Sequence, residues 1–133
     1  MPSTVLIVED SEGMAAPLEI ALASLNQLNV KVLTNAQDAL QVLSNGGNDV
    51  VALITDLHLP NMDGFELIEW VRHDQHYSKL PILVVSGDTQ PDTPARLLRL
   101  GANAYFSKPY SPAEIRSALE GLINVHQLAR SGH

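Results

Sequence analysis

Short apolar runs alternate with amphipathic segments along this chain. Thr4-Val5-Leu6-Ile7-Val8 lacks polar alternation, which predicts a strand covered on both faces. Leu18, Leu22 and Leu25 then form a helical stripe reaching about Leu25, and Pro17 predicts either a late helix start or a distorted first turn. Residues 30–33 make a second strand; Asn35 caps a helix with Asp38 in its first turn and Ala39, Leu40 and Leu43 inward, and Asn45-Gly46-Gly47-Asn48 ends it. The run from Val50 to Thr55 delivers Asp56 to its carboxyl end, where Pro60, Asn61 and Gly64 turn the chain. Asp63 and Glu66 have capping-box spacing ahead of a helix with Phe65, Ile68 and Val71 inward, ending near Asp74. Ile82-Leu83-Val84-Val85-Ser86 is a fourth strand; a short helix over 94–100 stops at Gly101, and Ala104-Tyr105-Phe106-Ser107 is the fifth strand. Ser111-Pro112-Ala113-Glu114 opens the last helix, with Ile115, Leu119 and Leu122 on its buried face. Five strands alternating with five helices predict an α/β fold, a parallel sheet with helices on both faces.

Composition narrows this picture. The 133 residues suit one domain, with a core over about 4–123 and a C-terminal tail over 124–133 whose end, Arg130-Ser131-Gly132-His133, is expected to be loose. A net charge of −7 and the lack of a basic block make direct nucleic-acid binding a poor fit. No apolar run approaches the roughly 18 residues of a membrane span, and Met1-Pro2-Ser3-Thr4 has no leader pattern. There is no Cys, so thiolate metal sites and disulfides are excluded. The expectation is a soluble cytoplasmic domain that does not engage a membrane.

The polar residues fall in one topological place. Glu9, Asp10, Asp56, Ser86 and Lys108 all sit at or just after the carboxyl ends of strands, and in a parallel sheet those ends share one edge. Three carboxylates gathered there would repel one another without a positive partner. A hard divalent ion such as Mg²⁺ is the natural occupant, and Lys108 adds a point charge suited to a phosphoryl oxygen.

The acidic pair Glu9-Asp10, Asp56 followed by Leu59-Pro60-Asn61-Met62-Asp63-Gly64, Ser86-Gly87, Gly101-Ala102, Tyr105 and Lys108-Pro109 together resemble the CheY-like response-regulator receiver domains of bacterial two-component signalling. The resemblance runs from about Thr4 to Ile123 and implies a flavodoxin-like (βα)5 sandwich with strand order 2-1-3-4-5. It implies that Asp56 is a phosphoacceptor serving a sensor histidine kinase or histidine phosphotransfer protein. Glu9, Asp10, Asp56 and the backbone carbonyl of His58 would hold Mg²⁺. Lys108 and Ser86 would contact the phosphoryl group, and Tyr105 would relay the change to an output partner on the face of the fourth helix, fifth strand and fifth helix. Arg96, Arg99, Tyr110 and Arg116 would supply that face with side chains able to read an acidic or aromatic partner. The bond before Pro109 would be cis. Such a protein is no enzyme beyond catalysing its own phosphorylation and dephosphorylation.

The side chains of His58 and Asp88 are placed to tune the lifetime of the phosphoryl group, although an exposed histidine without a role is the plainer reading of His58. His73 and His76 read as surface residues rather than a metal pair. Two other functions compete. A haloacid dehalogenase-like Mg²⁺-dependent phosphatase also uses a strand-end Asp, but needs a second Asp where this chain has His58, and carries its nucleophile on the first strand. A binding module that has lost phosphorylation would be expected to lack part of the acidic pocket. No output segment follows the last helix, which suggests a receiver standing alone or excised from a longer protein such as a hybrid kinase.

Overall fold

The computed structural model describes residues 3–25, 28–45 and 49–131. Five strands, β1 (Ser3–Val8), β2 (Leu28–Leu33), β3 (Val50–Asp56), β4 (Ile82–Ser86) and β5 (Ala104–Ser107), form one parallel sheet in the order β2-β1-β3-β4-β5. Between and after them come α1 (Glu12–Ala23), α2 (Ala36–Ser44), α3 (Gly64–His73), α4 (Thr93–Leu100) and α5 (Pro112–Ser131). This is the flavodoxin-like arrangement, with chemistry expected where β1 and β3 diverge to opposite crossovers.

Burial explains why the strands read as they do. All seven residues of β3 are buried, as its continuous apolar run requires, whereas edge strand β2 leaves Asn29 and Lys31 exposed. Alternate strand residues enter two cores. Leu6, Val8, Leu53 and Val84 pack with Leu43, Leu67, Ile68, Val71 and Leu97 on the α2–α3–α4 side. Val5, Ile7, Ile54, Leu83 and Val85 pack with Leu18, Leu22, Ile115 and Leu119 on the α1–α5 side.

The helix boundaries follow their capping chemistry. Asn35 accepts from the Asp38 N–H at 2.8 Å, and Asp63 and Glu66 complete a reciprocal capping box. Gly101 ends α4 with φ of 104°, and a Cβ there would press to 2.8 Å from Nε of Arg72. Arg72 in turn donates to the Gly101 carbonyl and to that of Tyr77, tying α3 to the end of α4.

Three features differ from, or add to, the sequence reading. First, α1 starts at Glu12, so Pro17 lies in its second turn, neither in a first turn nor near a late start; the proline is exposed, and the helix passes it because Ala15, Leu18 and Leu22 are anchored in the core. Second, a 3₁₀ turn over Gln75–Tyr77 follows α3, burying Tyr77 so that its hydroxyl donates to the Leu43 carbonyl at 2.8 Å. Third, the helix runs through the C-terminal tail as far as Ser131, so Arg130 and Ser131, expected to be loose, are helical, since no Gly or Pro interrupts 122–131. Gly46-Gly47-Asn48, within the expected second-helix stop, and the terminal Gly132-His133 lie outside the described residues.

Candidate functional site

The carboxyl ends of β1, β3 and β5 bring Glu9, Asp56 and Lys108 together. The Lys108 ammonium donates to Oδ2 of Asp56 at 2.7 Å and to Oε1 of Glu9 at 2.9 Å. Both carboxylates are buried, so this cation is what permits two negative groups so close inside the fold. Among the described residues, Glu9, Asp10 and Asp56 place one oxygen each within 4.8 Å of the others, with Asp10 exposed at the rim.

Local backbone fixes the orientation of Asp56. Its Oδ1 accepts from the N–H groups of Leu57 at 2.6 Å and His58 at 3.2 Å, leaving Oδ2 turned to Lys108. The loop that supplies these donors returns tightly: Asn61 adopts a left-handed φ of 69°, which its short side chain tolerates, and Gly64 donates to the Leu57 carbonyl at 2.8 Å. A Cβ on Gly64 would collide with the Asp56 carbonyl oxygen and stand 2.8 Å from Cα of Leu57. Only glycine closes this loop without displacing Asp56.

Burial pushes the Glu9 carboxyl above its ordinary pKa, more than the hydrogen bond from Lys108 lowers it, and nearby Asp56 adds to the rise. For Lys108, burial acts to lower the pKa, but the hydrogen bonds to Asp56 and Glu9 outweigh it and the net direction is upward. The two results agree: a site with two buried carboxylates and one ammonium keeps its cation and disfavours the ionised form of Glu9. That excess of negative charge suits a divalent cation, and the donor set of three carboxylates fits a hard one.

The ends of β4 and β5 build the other side. Ser86 is fully buried, with its Oγ accepting from the Asp88 N–H at 3.1 Å. Tyr105 is half-buried, and its hydroxyl donates to the Asp88 carbonyl at 3.1 Å. The His58 side chain is 66% exposed, yet its Nε2 lies 3.2 Å from Oδ2 of Asp88. Sequence reasoning singled out both residues without detecting that they meet. It also missed Thr93, whose hydroxyl donates to Oδ1 of Asp88 at 3.2 Å. An Asp five residues before a Thr at a helix start was the available signal, a weak one.

The other candidates fall elsewhere. His73 and His76 are exposed, as expected of surface residues. Tyr110 donates to the Met14 carbonyl at 3.1 Å and so faces α1, away from the surface assigned to it. Arg96 stacks 3.8 Å above the Phe65 ring and links α4 to α3. The Lys108–Pro109 bond is cis.

The structure is thus a doubly wound parallel sheet with an acidic cluster and a lysine at its switch point, an arrangement consistent with a phosphoaccepting domain. Residues 5–120 match the family model of the response regulator receiver domain, and the chain belongs to that family. The chain is 30% identical over 118 residues to a chemotaxis protein CheY homolog of Campylobacter jejuni subsp. jejuni, covering 89% of this chain and 90% of that protein. A candidate response regulator from Chloroflexus aurantiacus J-10-fl superposes with a TM-score of 0.83 at 31% identity, over 93% of this chain and 99% of that one. The signal receiver domain of a signal transduction histidine kinase from Syntrophus aciditrophicus superposes at 0.82 with 25% identity, over 92% and 91%. Among the described residues, no helix is long and apolar enough to cross a membrane.

Proposed function

We propose that this chain accepts a phosphoryl group onto Asp56 from a phosphohistidine on a sensor kinase or phosphotransfer protein, and that the modification alters a partner-binding face. The observation that carries this reading is the bridge of Lys108 between Asp56 and Glu9 inside the acidic cluster. Glu9, Asp10, Asp56 and the backbone carbonyl of His58 would hold Mg²⁺. Bound there, the ion would neutralise charge shared between the carboxylates and the incoming phosphoryl oxygens.

A carboxylate is a weak nucleophile, so the protein's contribution is alignment and charge. The two backbone donors pin Oδ1 of Asp56, and Oδ2 attacks phosphorus as the phosphorus–nitrogen bond breaks and its electron pair leaves with the donor imidazole. The product is an acyl phosphate. Lys108 moves from Oδ2 to a phosphoryl oxygen, keeping the ammonium paired throughout. The hydroxyl of Ser86 turns to donate to another phosphoryl oxygen, drawing in the loop that carries Asp88 and Tyr105's acceptor. The response reaches α4, β5 and α5, where an output partner would read it.

Acetyl phosphate with Mg²⁺ tests the acceptor. Borohydride trapping and intact mass should report one labelled site in the wild type, none in Asp56→Asn and none in EDTA. Undiminished labelling of Asp56→Asn would overturn the assignment. Amide NMR with beryllofluoride and Mg²⁺ tests the relay, and changes confined to the pocket would exclude transmission through Tyr105 and α4.

A further inference from the structure

The outer face of α3 carries a recess that takes no part in the chemistry at Asp56. It is open to solvent, has a volume of about 390 Å³, and is lined by Met62, Glu66, Glu69, Trp70 and His73. Helical spacings of three and four bring the last four of these side by side. Met62 and the half-buried Trp70 pack against the core beneath, and Glu66, Glu69 and His73 stand exposed around them. The polar groups of the rim are acceptors. Glu66 takes the Asp63 N–H on Oε1 at 3.3 Å and keeps the rest of its carboxylate for solvent. Nδ1 of His73 lies 2.8 Å from the Glu69 carbonyl oxygen, the place of a donor, so the neutral ring leaves Nε2 as an acceptor. Phe65, on the same helix, has a guanidinium over it, that of Arg96 at 3.8 Å; Trp70, the type of ring that holds a cation best, has none among the described residues. Arg72, two residues on, is turned to the carbonyls of Gly101 and Tyr77.

We infer that this recess docks an arginine side chain of a partner protein, with an apolar neighbour of that arginine resting on Met62. An aromatic wall edged by two carboxylates and an imidazole acceptor asks for a flat group that is positive and only donates. Guanidinium is that group: it carries five donors and no acceptor, and it stacks on an aromatic face. An ammonium answers the charge but not the stacking, and an acidic ligand is repelled by Glu66 and Glu69. The open shape suits a side chain presented by another protein rather than a small molecule, which binds where most of its surface can be enclosed. The net charge of −7 draws a basic segment toward the domain. The recess lies on α3, apart from the face of α4, β5 and α5, so a partner held here leaves that face free. This inference goes beyond the phosphoacceptor reading and does not depend on it.

Trp70 is the sole tryptophan of the chain, so its emission reports directly on the recess. The full chain, with Mg²⁺ present, is titrated with acetyl-Leu-Arg-Leu-amide and with the same peptide carrying lysine or the uncharged citrulline in place of arginine, followed by Trp70 emission and amide NMR. The arginine peptide should give a saturable change with amide shifts centred on 62–73. The lysine peptide should bind about threefold more weakly and the citrulline peptide about tenfold more weakly. Glu66→Gln, which keeps an oxygen for the Asp63 N–H, and Glu69→Gln should each weaken the arginine peptide about threefold. Trp70→Leu, read by NMR, should erase the preference for arginine over lysine; the Glu variants keep the test standing if Trp70→Leu does not fold. Equal binding of citrulline and arginine, unaltered affinity in both Glu variants, or an arginine preference that survives Trp70→Leu overturns the site. So do amide shifts centred on Glu9, Asp10 and Asp56, which would make the acidic pocket the receptor, and a lack of saturation up to about 10 mM. Sedimentation equilibrium decides the occupant: a dimer that is lost in Trp70→Leu would put a second copy of the chain in the recess and overturn the assignment to a basic partner.

Discussion

The two sides of the pocket are held by different forces. On the β1–β3–β5 side, Glu9, Asp56 and Lys108 form charge-assisted contacts of 2.7 and 2.9 Å between largely buried groups. On the β4–β5 side, Ser86, Asp88, Thr93 and Tyr105 are joined by longer bonds of 3.1 and 3.2 Å, two of them to the main chain of Asp88. Buried ion pairs are costly to break one partner at a time, whereas bonds of the second kind are each worth about 1 kcal/mol. The first side is thus suited to hold an invariant geometry for chemistry, and the second to exchange between arrangements. A switch needs both: a fixed place where charge arrives and a soft network that responds.

Removing the cation should expose this asymmetry most sharply. Lys108→Ala takes the ammonium from two buried carboxylates and removes one of the two side-chain donors proposed for the phosphoryl group, so labelling by acetyl phosphate should slow by about a hundredfold or more, the scale seen when one charge-stabilising donor is lost. A rate within about threefold of wild type would show that the ion alone carries the charge. The next effect is steric. Gly64→Ala forces a methyl group against the Asp56 carbonyl and should cost about 2 kcal/mol in thermal or urea unfolding. An unchanged midpoint would mean that the loop after β3 yields easily, and that Asp56 is less firmly placed than its hydrogen bonds suggest.

The same division separates what could be read in the sequence from what could not. The strands and the parallel sheet follow from apolar runs and alternation, whereas the strand order came from the resemblance to receiver domains; Glu9, Asp10, Asp56 and Lys108 were findable because charge at the end of an apolar strand is conspicuous. On the second side Ser86 was legible in the same way, as a polar residue at a strand end, but the contacts of Asp88 were not. Thr93 and Asp88 are ordinary loop and helix-start residues, and their contact depends on a turn geometry that sequence spacing does not specify. Tyr110 was assigned to the wrong face because a helix-preceding loop after a cis proline has no periodicity from which to infer direction. Pro17 illustrates the converse, local propensity overridden by the packing of Leu18 and Leu22.

Acid tests the charged side more gently. Glu9 has a folded pKa above its ordinary value, so between the two the folded state holds more protons than the unfolded one, and stability falls as pH rises through that interval. In EDTA, Glu9→Gln should therefore be more stable than wild type at pH 7, and the advantage should shrink as pH falls toward 4.5. Mg²⁺ should narrow the difference at pH 7 by stabilising the ionised carboxylate of the wild type. An equal or lower midpoint for Glu9→Gln in EDTA would show that the Lys108 contact outweighs burial after all.

The smallest effect is expected on the soft side. Tyr105→Phe removes one hydroxyl whose acceptor is the Asp88 carbonyl, in a half-buried position that water can partly satisfy. The loss should be about 0.5–1 kcal/mol in unfolding, with labelling of Asp56 little changed. Its consequence should appear instead in the response: the ring keeps its packing against the core on the α2–α3–α4 side but loses the bond that ties its position to the loop. Beryllofluoride should still shift the amides around Ser86, while the change at β5 becomes smaller than in wild type. If Tyr105→Phe slowed labelling as much as Lys108→Ala, the two sides would not be separable and the pocket would act as one rigid unit.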